Sequence, residues 1–394
     1  MSAFAQSSVV LDGYFDRGLA SVNNNYNQKD ARTLGSNAGT TTVGIKVRED
    51  LGGGLSAGGW ISTDWNDLGG AKQTDITGGG TQRTGFANSQ NFVDLTSAQF
   101  GTLRLGTPNS FTLTNATSVA APAFSTGIGS SYSTNFSVAN GLGTGTDSKG
   151  GIVDAAVINS TTGSAGQRAI RINNTVQYSS PVVAGGLSAH VSYSVKNDND
   201  NLGNKLVAAT STTFGNTVGV TEYALRYANG PIDAMYTSIK YSVGANKVNA
   251  GGGAITANST TGSLTTSLTS TQDMLGATYT VMPSLKLHAG FGTFSSSNDV
   301  YKGKSQQFGA TYTMGQFDIM GQIAKVDDQA TTDMDRKVTG LGVNYNLSKT
   351  SRVYFRYDSI NYASGKAGGT QVADTAALAG SLQKRSAIGI SKSF

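Results

Sequence analysis

From Ser8 onward the chain is a succession of segments of about ten residues in which apolar and polar positions alternate. A period of two puts successive side chains on opposite faces of a strand, and repeated half-apolar strands of this length are the pattern of a membrane-spanning β-barrel. Residues 9–22 set Val9, Leu11, Phe15 and Leu19 on one face and Asp12, Tyr14 and Asp16 on the other; Arg17 falls on the apolar side and breaks the pattern. Residues 39–50 carry Val43, Ile45 and Val47 outward against Thr42, Lys46 and Arg48. Residues 167–178 divide Ile170, Ile172, Val176 and Tyr178 from Arg171, Asn173, Thr175 and Gln177. Further strands are predicted at 55–67, 82–98, 99–106, 186–196, 216–228, 231–243, 271–281, 284–294, 304–314, 316–326, 336–347, 351–362 and 382–394. Within 88–95 the alternation is poor and assigns no face. The total is about sixteen, an even number typical of bacterial outer-membrane barrels.

Connections reinforce this reading. Short turns such as Asn229-Gly230-Pro231 and Met282-Pro283-Ser284 alternate with long polar loops at 197–215, 244–270 and 363–380. Short turns at one end and long loops at the other are the asymmetry of a barrel in an outer membrane. No stretch of eighteen or more mainly apolar residues exists to form a transmembrane helix, so only a closed barrel could satisfy the backbone in lipid. Trp60, Trp65, Tyr223, Tyr227, Tyr279, Tyr312, Tyr345 and Tyr357 are candidates for an interfacial aromatic belt.

One stretch departs from the pattern. Residues 105–146 contain no Asp, Glu, Lys, Arg or His, but do contain Pro108 and Pro122. A long loop inside a regular β chain is usually functional or disordered. The expectation is an all-β transmembrane antiparallel barrel of about sixteen strands whose long loop, within 105–166, folds into the lumen and sets its width. Residues 6–394 then form a single barrel. Residues 1–5, with Ala3-Phe4-Ala5, read as the trimmed end of a cleaved signal peptide.

Composition narrows the chemistry. The 394 residues include 52 Gly but only 5 Pro, and 13% are charged, which suits strands and polar turns better than helix bundles. The net charge of +5 is spread thinly, without the Lys/Arg clusters of a nucleic-acid binder. With no cysteine there are no disulfides, thiolate metal sites or thiol nucleophiles. Only His190 and His288 could serve a hydrolase, and neither sits in a nucleophile motif, so no catalytic residues are expected. Asp327, Asp328, Asp333 and Asp335 could offer oxygen ligands to a hard cation, but they read better as a solvated loop, and no metal is expected. The triplets at Gly52 and Gly251 precede no helix and are not phosphate loops, so no cofactor is expected.

The remaining signal is charge on the lumen face. Lys46, Arg48, Arg104, Arg171, Arg226, Lys286, Arg352 and Arg356 share that parity with Glu222 and Asp358, a set of eight bases and two acids. A pore lined mainly by one sign of charge selects ions by sign, so an anion preference is expected.

Several motifs, in order, resemble the trimeric general porins of the Gram-negative outer membrane, particularly their β-proteobacterial branch. They are Gln6-Ser7-Ser8-Val9, Val43-Gly44-Ile45-Lys46 leading to Glu49-Asp50-Leu51-Gly52-Gly53-Gly54-Leu55, and Phe100-Gly101-Thr102-Leu103-Arg104-Leu105-Gly106. Asn173-Asn174-Thr175-Val176-Gln177-Tyr178-Ser179-Ser180-Pro181, Arg226-Tyr227-Ala228-Asn229-Gly230-Pro231 and the terminal Phe394 complete the set. The resemblance implies a sixteen-stranded barrel, a homotrimer, contact with outer-membrane lipid and lipopolysaccharide, and passage of inorganic ions and small hydrophilic solutes. It also implies an arginine cluster on the wall facing acids on the third loop. Lys46 and Arg171 match wall positions of that cluster, whereas Thr42 and Ser89 stand where many relatives have arginine. The loop's Pro-Glu-Phe motif is here Pro122-Ala123-Phe124, without its glutamate. A substrate-selective channel of similar shape and a soluble all-β surface protein are the alternatives.

Overall fold

A computed structural model describes residues 7–24, 29–64, 89–124, 127–129, 171, 174–183, 185–197, 218–243, 268–296, 302–329, 335–362 and 382–394. Its strands are β1 (Ser7–Asn24), β2 (Lys29–Gly35), β3 (Thr42–Gly52), β4 (Leu55–Asp64), β5 (Asn91–Ser97), β6 (Gly101–Thr107), β7 (Thr175–Ser179) and β8 (Leu187–Asn197). β9 (Val218–Asn229), β10 (Ile232–Val243), β11 (Leu268–Met282), β12 (Leu285–Ser296), β13 (Lys302–Met314) and β14 (Phe317–Asp328) follow, then β15 (Arg336–Asn346), β16 (Ser351–Tyr362) and β17 (Leu382–Ser393). Each pairs antiparallel with its neighbours, and β1 with β17 closes the sheet, which leaves no edge with unpaired backbone.

β2 and β3 together make one wall strand. β2 pairs with the second half of β1 and β3 with its first half, so the seventeen segments form a sixteen-stranded barrel. The sequence pattern predicts the strand only from residue 39, so β2 and the interruption at 36–41 were not legible in it. The Asp16 carboxylate accepts from the Ala38 and Gly39 backbone N–H at 2.6 and 2.8 Å, and Asn37 Nδ2 donates to the Gly18 and Gly35 carbonyls. These groups offer the backbone partners other than the ladder. Arg17, out of place in the sequence pattern, donates here to the Asp16 carbonyl and to the hydroxyls of Ser36 and Thr41.

The two faces are inverted relative to a water-soluble sheet. Leu11, Leu275, Ile323, Leu341 and Ile388 are exposed on the outside, while Gln177, Glu222, Gln307 and Gln322 are buried inside. An exposed apolar band around a polar interior fits lipid outside and water within. Tyr227, Tyr279, Tyr312 and Tyr345 lie outward near the short turns, as a belt requires. Trp60 does not: it shares the lumen parity of Ser62 and sits beneath Lys46, its ring edge-on to Phe92. A residue flanked by Gly58 and Gly59 gives no reliable parity from sequence. Trp65 and most of the long loops fall outside the described residues, as do residues 1–6 and their predicted processing remnant.

Of the strand predicted at 167–178, residues 167–170, 172 and 173 lie outside the described residues. β7 begins at Thr175, immediately after Asn174 at φ 51°, and Arg171 is tied back by an isolated bridge to Asn109. At the other end of the chain, Phe394 exchanges two backbone hydrogen bonds with Gly13 and packs its ring on Phe15.

Candidate functional site

β6 extends to Thr107, so the inward loop begins at Pro108, three residues later than the uncharged stretch. Ser110 caps a short helical turn, Phe111–Thr114, by accepting from the Leu113 N–H at 2.9 Å. That turn runs on through Asn115–Val119 to a 3₁₀ turn at Pro122–Phe124. A series of polar anchors then lays the loop along the inner wall. Glu222 of β9 accepts from the N–H groups of Phe111 and Thr112 at 3.0 and 2.6 Å and from the Thr112 hydroxyl at 2.6 Å. Asn115 donates to the Met235 and Met274 carbonyls, and Thr278 donates to Val119. The side-chain amides of Gln307 and Gln322 donate to the carbonyls of Ala120 and Gly129. Gly129 donates to Asp358 at 2.8 Å and Ile128 to Asn37. Contacts among Phe111, Val119, Ala224 and Met235 fill the space behind the first turns.

The loop therefore covers the wall from β9 round to β16. The opposite arc, from β3 to β7, carries Lys46, Arg48, Arg104 and, just before β7, Arg171. Lys46 Nζ lies 2.9 Å from Asp12 and 4.3 Å above the Trp60 ring. Arg48 Nη1 is 3.1 Å and Arg104 Nη2 3.6 Å from the two oxygens of Asp94, and the Arg104 guanidinium stacks 4.1 Å over Phe92. Arg171 pairs with Asp64 at 3.0 Å and donates to Asn109, the second residue of the loop. Within each pair the cation is the more exposed side chain: Lys46 at 44% against 35% for Asp12, Arg48 at 48% and Arg104 at 30% against 12% for Asp94, and Arg171 at 26% against 17% for Asp64. Among the described loop residues Ser118 and Pro122 are the exposed ones, and neither carries charge.

Comparison with known proteins accounts for this combination of closed barrel, inward loop and charged wall. The family model for Gram-negative porin matches residues 1–365. The chain belongs to the Gram-negative porins. It is 27% identical over 365 residues to outer membrane porin protein 32 of Delftia acidovorans, covering 90% of this chain and 84% of that one. Among solved structures it is similar to an anion-selective porin from Comamonas acidovorans, with TM-score 0.68, 25% identity, and coverage of 99% and 100% of the two chains. OmpF of Salmonella typhi shares the fold at TM-score 0.58 and 14% identity, with 98% and 97% covered. The protein is thus an outer-membrane channel, and the soluble surface-protein alternative is excluded.

Within the porin lumen the predicted residues separate into groups. Lys46, Arg48 and Arg104 form one patch with Trp60 and Phe92, and Arg171 stands where the loop leaves the wall. Pro122 is exposed, Ala123 lies within the same 3₁₀ turn, and Phe124 is only 1% exposed. Arg356 is also on the lumen side but is covered at 2% exposure, donating to Asn344 and lying 5.8 Å from the Phe124 ring. Arg226 belongs elsewhere: it forms a two-pronged pair with Asp233 beside the β9–β10 turn. Eight bases against two acids is corrected as well. Asp12, Asp64, Asp94 and Asp233 all face inward and pair with them. Asp94 was missed because alternation fails within 88–95. Glu222 had the right parity, but nothing in one sequence marks it as the loop's first anchor.

Proposed function

We propose that this porin conducts ions and small hydrophilic solutes by passive diffusion, without a chemical step, and prefers anions. Residues 6–394 act as a single barrel, the 105–166 region narrows it, and Lys46, Arg48, Arg104 and Arg171 present positive charge to the passing solute. The observation that carries the reading is the unequal exposure within the wall ion pairs. Four bases against three acids leave one net positive charge, and each acid is less exposed than the base it pairs with. A solute in the lumen meets ammonium and guanidinium groups first, and the described part of the facing loop, Pro108–Phe124, carries no charge. Anions are concentrated where low-dielectric walls carry such a field. The similarity to a porin named as anion-selective supports the same sign. The channel functions as a homotrimer, the state implied by its resemblance to trimeric porins.

The test is the reversal potential across a planar bilayer under a potassium chloride gradient. The wild-type channel is expected to give the anion-favouring sign, and Arg48→Glu to move it toward cation preference. A cation-favouring wild type refutes the selectivity. Gel mobility of the unheated protein at the size of three chains checks the trimer, and monomer mobility in the folded state refutes it.

A further inference from the structure

Two apolar rings on the basic arc face the water-filled lumen instead of the lipid. Across β3–β7 the inward positions are otherwise polar or glycine, as at Gly44, Arg48, Gly58, Ser62, Asp94 and Gln177. Trp60 of β4 and Phe92 of β5 are the exceptions, at directly paired positions. Rings beside water forgo the burial they would gain on the lipid side. Lys46 of β3 stands at the next paired position and completes a row of three. The Trp60 indole leans across β3, where a Cβ at Gly44 would collide with its Nε1. That Nε1–H is buried without a hydrogen-bond partner among the described residues. Buried tryptophans usually pair their N–H, so what Trp60 offers the lumen is its ring and not its polar tip.

Both rings are set among cations. Lys46 Nζ stands 4.3 Å over the Trp60 centroid, and the Arg104 guanidinium 4.1 Å over that of Phe92. The rings meet edge to face, 6.3 Å apart. Phe92 is buried and Trp60 partly exposed, so the indole is the ring a solute can reach. Lys46 covers it loosely: the ammonium sits on a flexible four-carbon stem and pairs with Asp12. Next to Trp60 on the inward face of β4, Gly58 has no side chain, which leaves the wall open from the indole to Arg48. Three bases, Lys46, Arg48 and Arg104, against two acids, Asp12 and Asp94, leave one net positive charge. A single carboxylate balances it. The described loop residues, Pro108–Phe124, bring no acid to repel an anion.

We propose that this row is a binding subsite for aromatic monocarboxylates of the benzoate type in transit through the pore. The carboxylate lies between Lys46 and Arg48, and the ring lies on the Trp60 indole in the place of the Lys46 ammonium. Lys46 exchanges its contact with the indole for a charge-assisted hydrogen bond to the carboxylate, the stronger of the two. An aliphatic acid of the same size and charge makes the ionic contact but not the aromatic one. Binding is weak, because conduction requires that a solute drawn in can leave again. The inference rests on the anion-preferring reading and names a solute class for it.

The test is block of single-channel chloride current in a planar bilayer by benzoate, with cyclohexanecarboxylate and acetate as non-aromatic anions. Benzoate is expected to half-block the wild type at a concentration about three-fold below cyclohexanecarboxylate and about ten-fold below acetate. Equal potency of benzoate and cyclohexanecarboxylate in the wild type overturns the subsite, and that comparison needs no variant. Trp60→Leu should bring benzoate to the potency of cyclohexanecarboxylate, whereas Trp60→Phe should keep the gap. A gap unchanged in Trp60→Leu overturns the assignment to this ring. Lys46→Gln should weaken block by both acids, and undiminished block overturns the carboxylate's position. Heat-dependent gel mobility verifies that each variant is folded. The wild-type reversal potential under a potassium chloride gradient separates the two readings. An anion-favouring sign with equal potency of the two acids sinks the subsite alone, and a cation-favouring sign sinks both.

Discussion

Replacing Glu222 with alanine isolates the contact that starts the loop on its path along the wall. The carboxylate is fully buried and accepts three hydrogen bonds, two from backbone N–H groups and one from the Thr112 hydroxyl. Hydrogen bonds to a charged group contribute about 1.5–3 kcal/mol each, and a buried donor left unpaired costs about 1–3 kcal/mol. Water entering from the lumen can serve some of the stranded donors, so a net loss of about 3 kcal/mol is the reasonable figure. At about 1.4 kcal/mol per factor of ten, that raises the population of a detached first turn by roughly 150-fold. The later anchors at Asn115, Thr278, Gln307, Gln322 and Asp358 remain, so only the segment around Phe111–Thr114 comes free. Because the barrel's strand ladder is untouched, heat-dependent gel mobility should not change. Single-channel recording should show added open-channel noise and brief substates absent from the wild type. Glu222→Gln, which keeps one acceptor oxygen, should fall between the two. Quiet traces with wild-type conductance from a folded Glu222→Ala channel would show that the loop does not depend on this anchor.

Two further substitutions probe the same geometry. A Cβ at Gly276 of β11 would collide with Asn115 Oδ1 and lie 3.0 Å from the Ala120 Cβ. Gly276→Val should therefore push the loop off the wall toward the basic arc at a cost of about 1–3 kcal/mol and lower single-channel conductance; unchanged conductance would count against that bed. Asp94→Asn uncovers Arg48 and Arg104 together and should increase anion preference at 0.1 M salt. The increase should shrink toward 1 M as the screening length falls from about 10 Å to about 3 Å. An equal or lower anion preference at 0.1 M would mean that the carboxylate is not masking them.

Much of the barrel was legible because a strand between lipid and water writes its two faces into alternate residues. Val43, Ile45 and Val47 against Lys46 and Arg48 needed no partner to be read correctly. Reading failed where the face was set by something outside the strand. The break between β2 and β3 is made by Asp16, more than twenty residues earlier, whose carboxylate takes the N–H groups of Ala38 and Gly39. Trp60 points inward between two glycines and Ile61, and only Phe92 and Lys46 on adjacent strands explain its position. The loop's lack of charge was plain in the sequence, but the side chains that hold it belong to six other strands.

The strength of the lumen field was the least legible property, and the reason lies in register. Parity assigns a charged residue to the lumen but does not say which opposite charge it meets. Arg104 and Asp94 occupy facing positions on β6 and β5, so their pairing follows once those strands are aligned. Arg48 and Asp94 are two strands apart, with β4 between them. They meet because the intervening position is Gly58, which faces both and has no side chain to separate them. A Cβ there would lie 2.9 Å from Asp94 Oδ1 and 3.1 Å from Arg48 Nη1. One missing side chain thus lets a single carboxylate serve two arginines. The wall becomes less positive than a count of its bases implies, yet the cations remain at its surface. In such a pore the more exposed member of each pair sets the sign of charge that a passing ion meets.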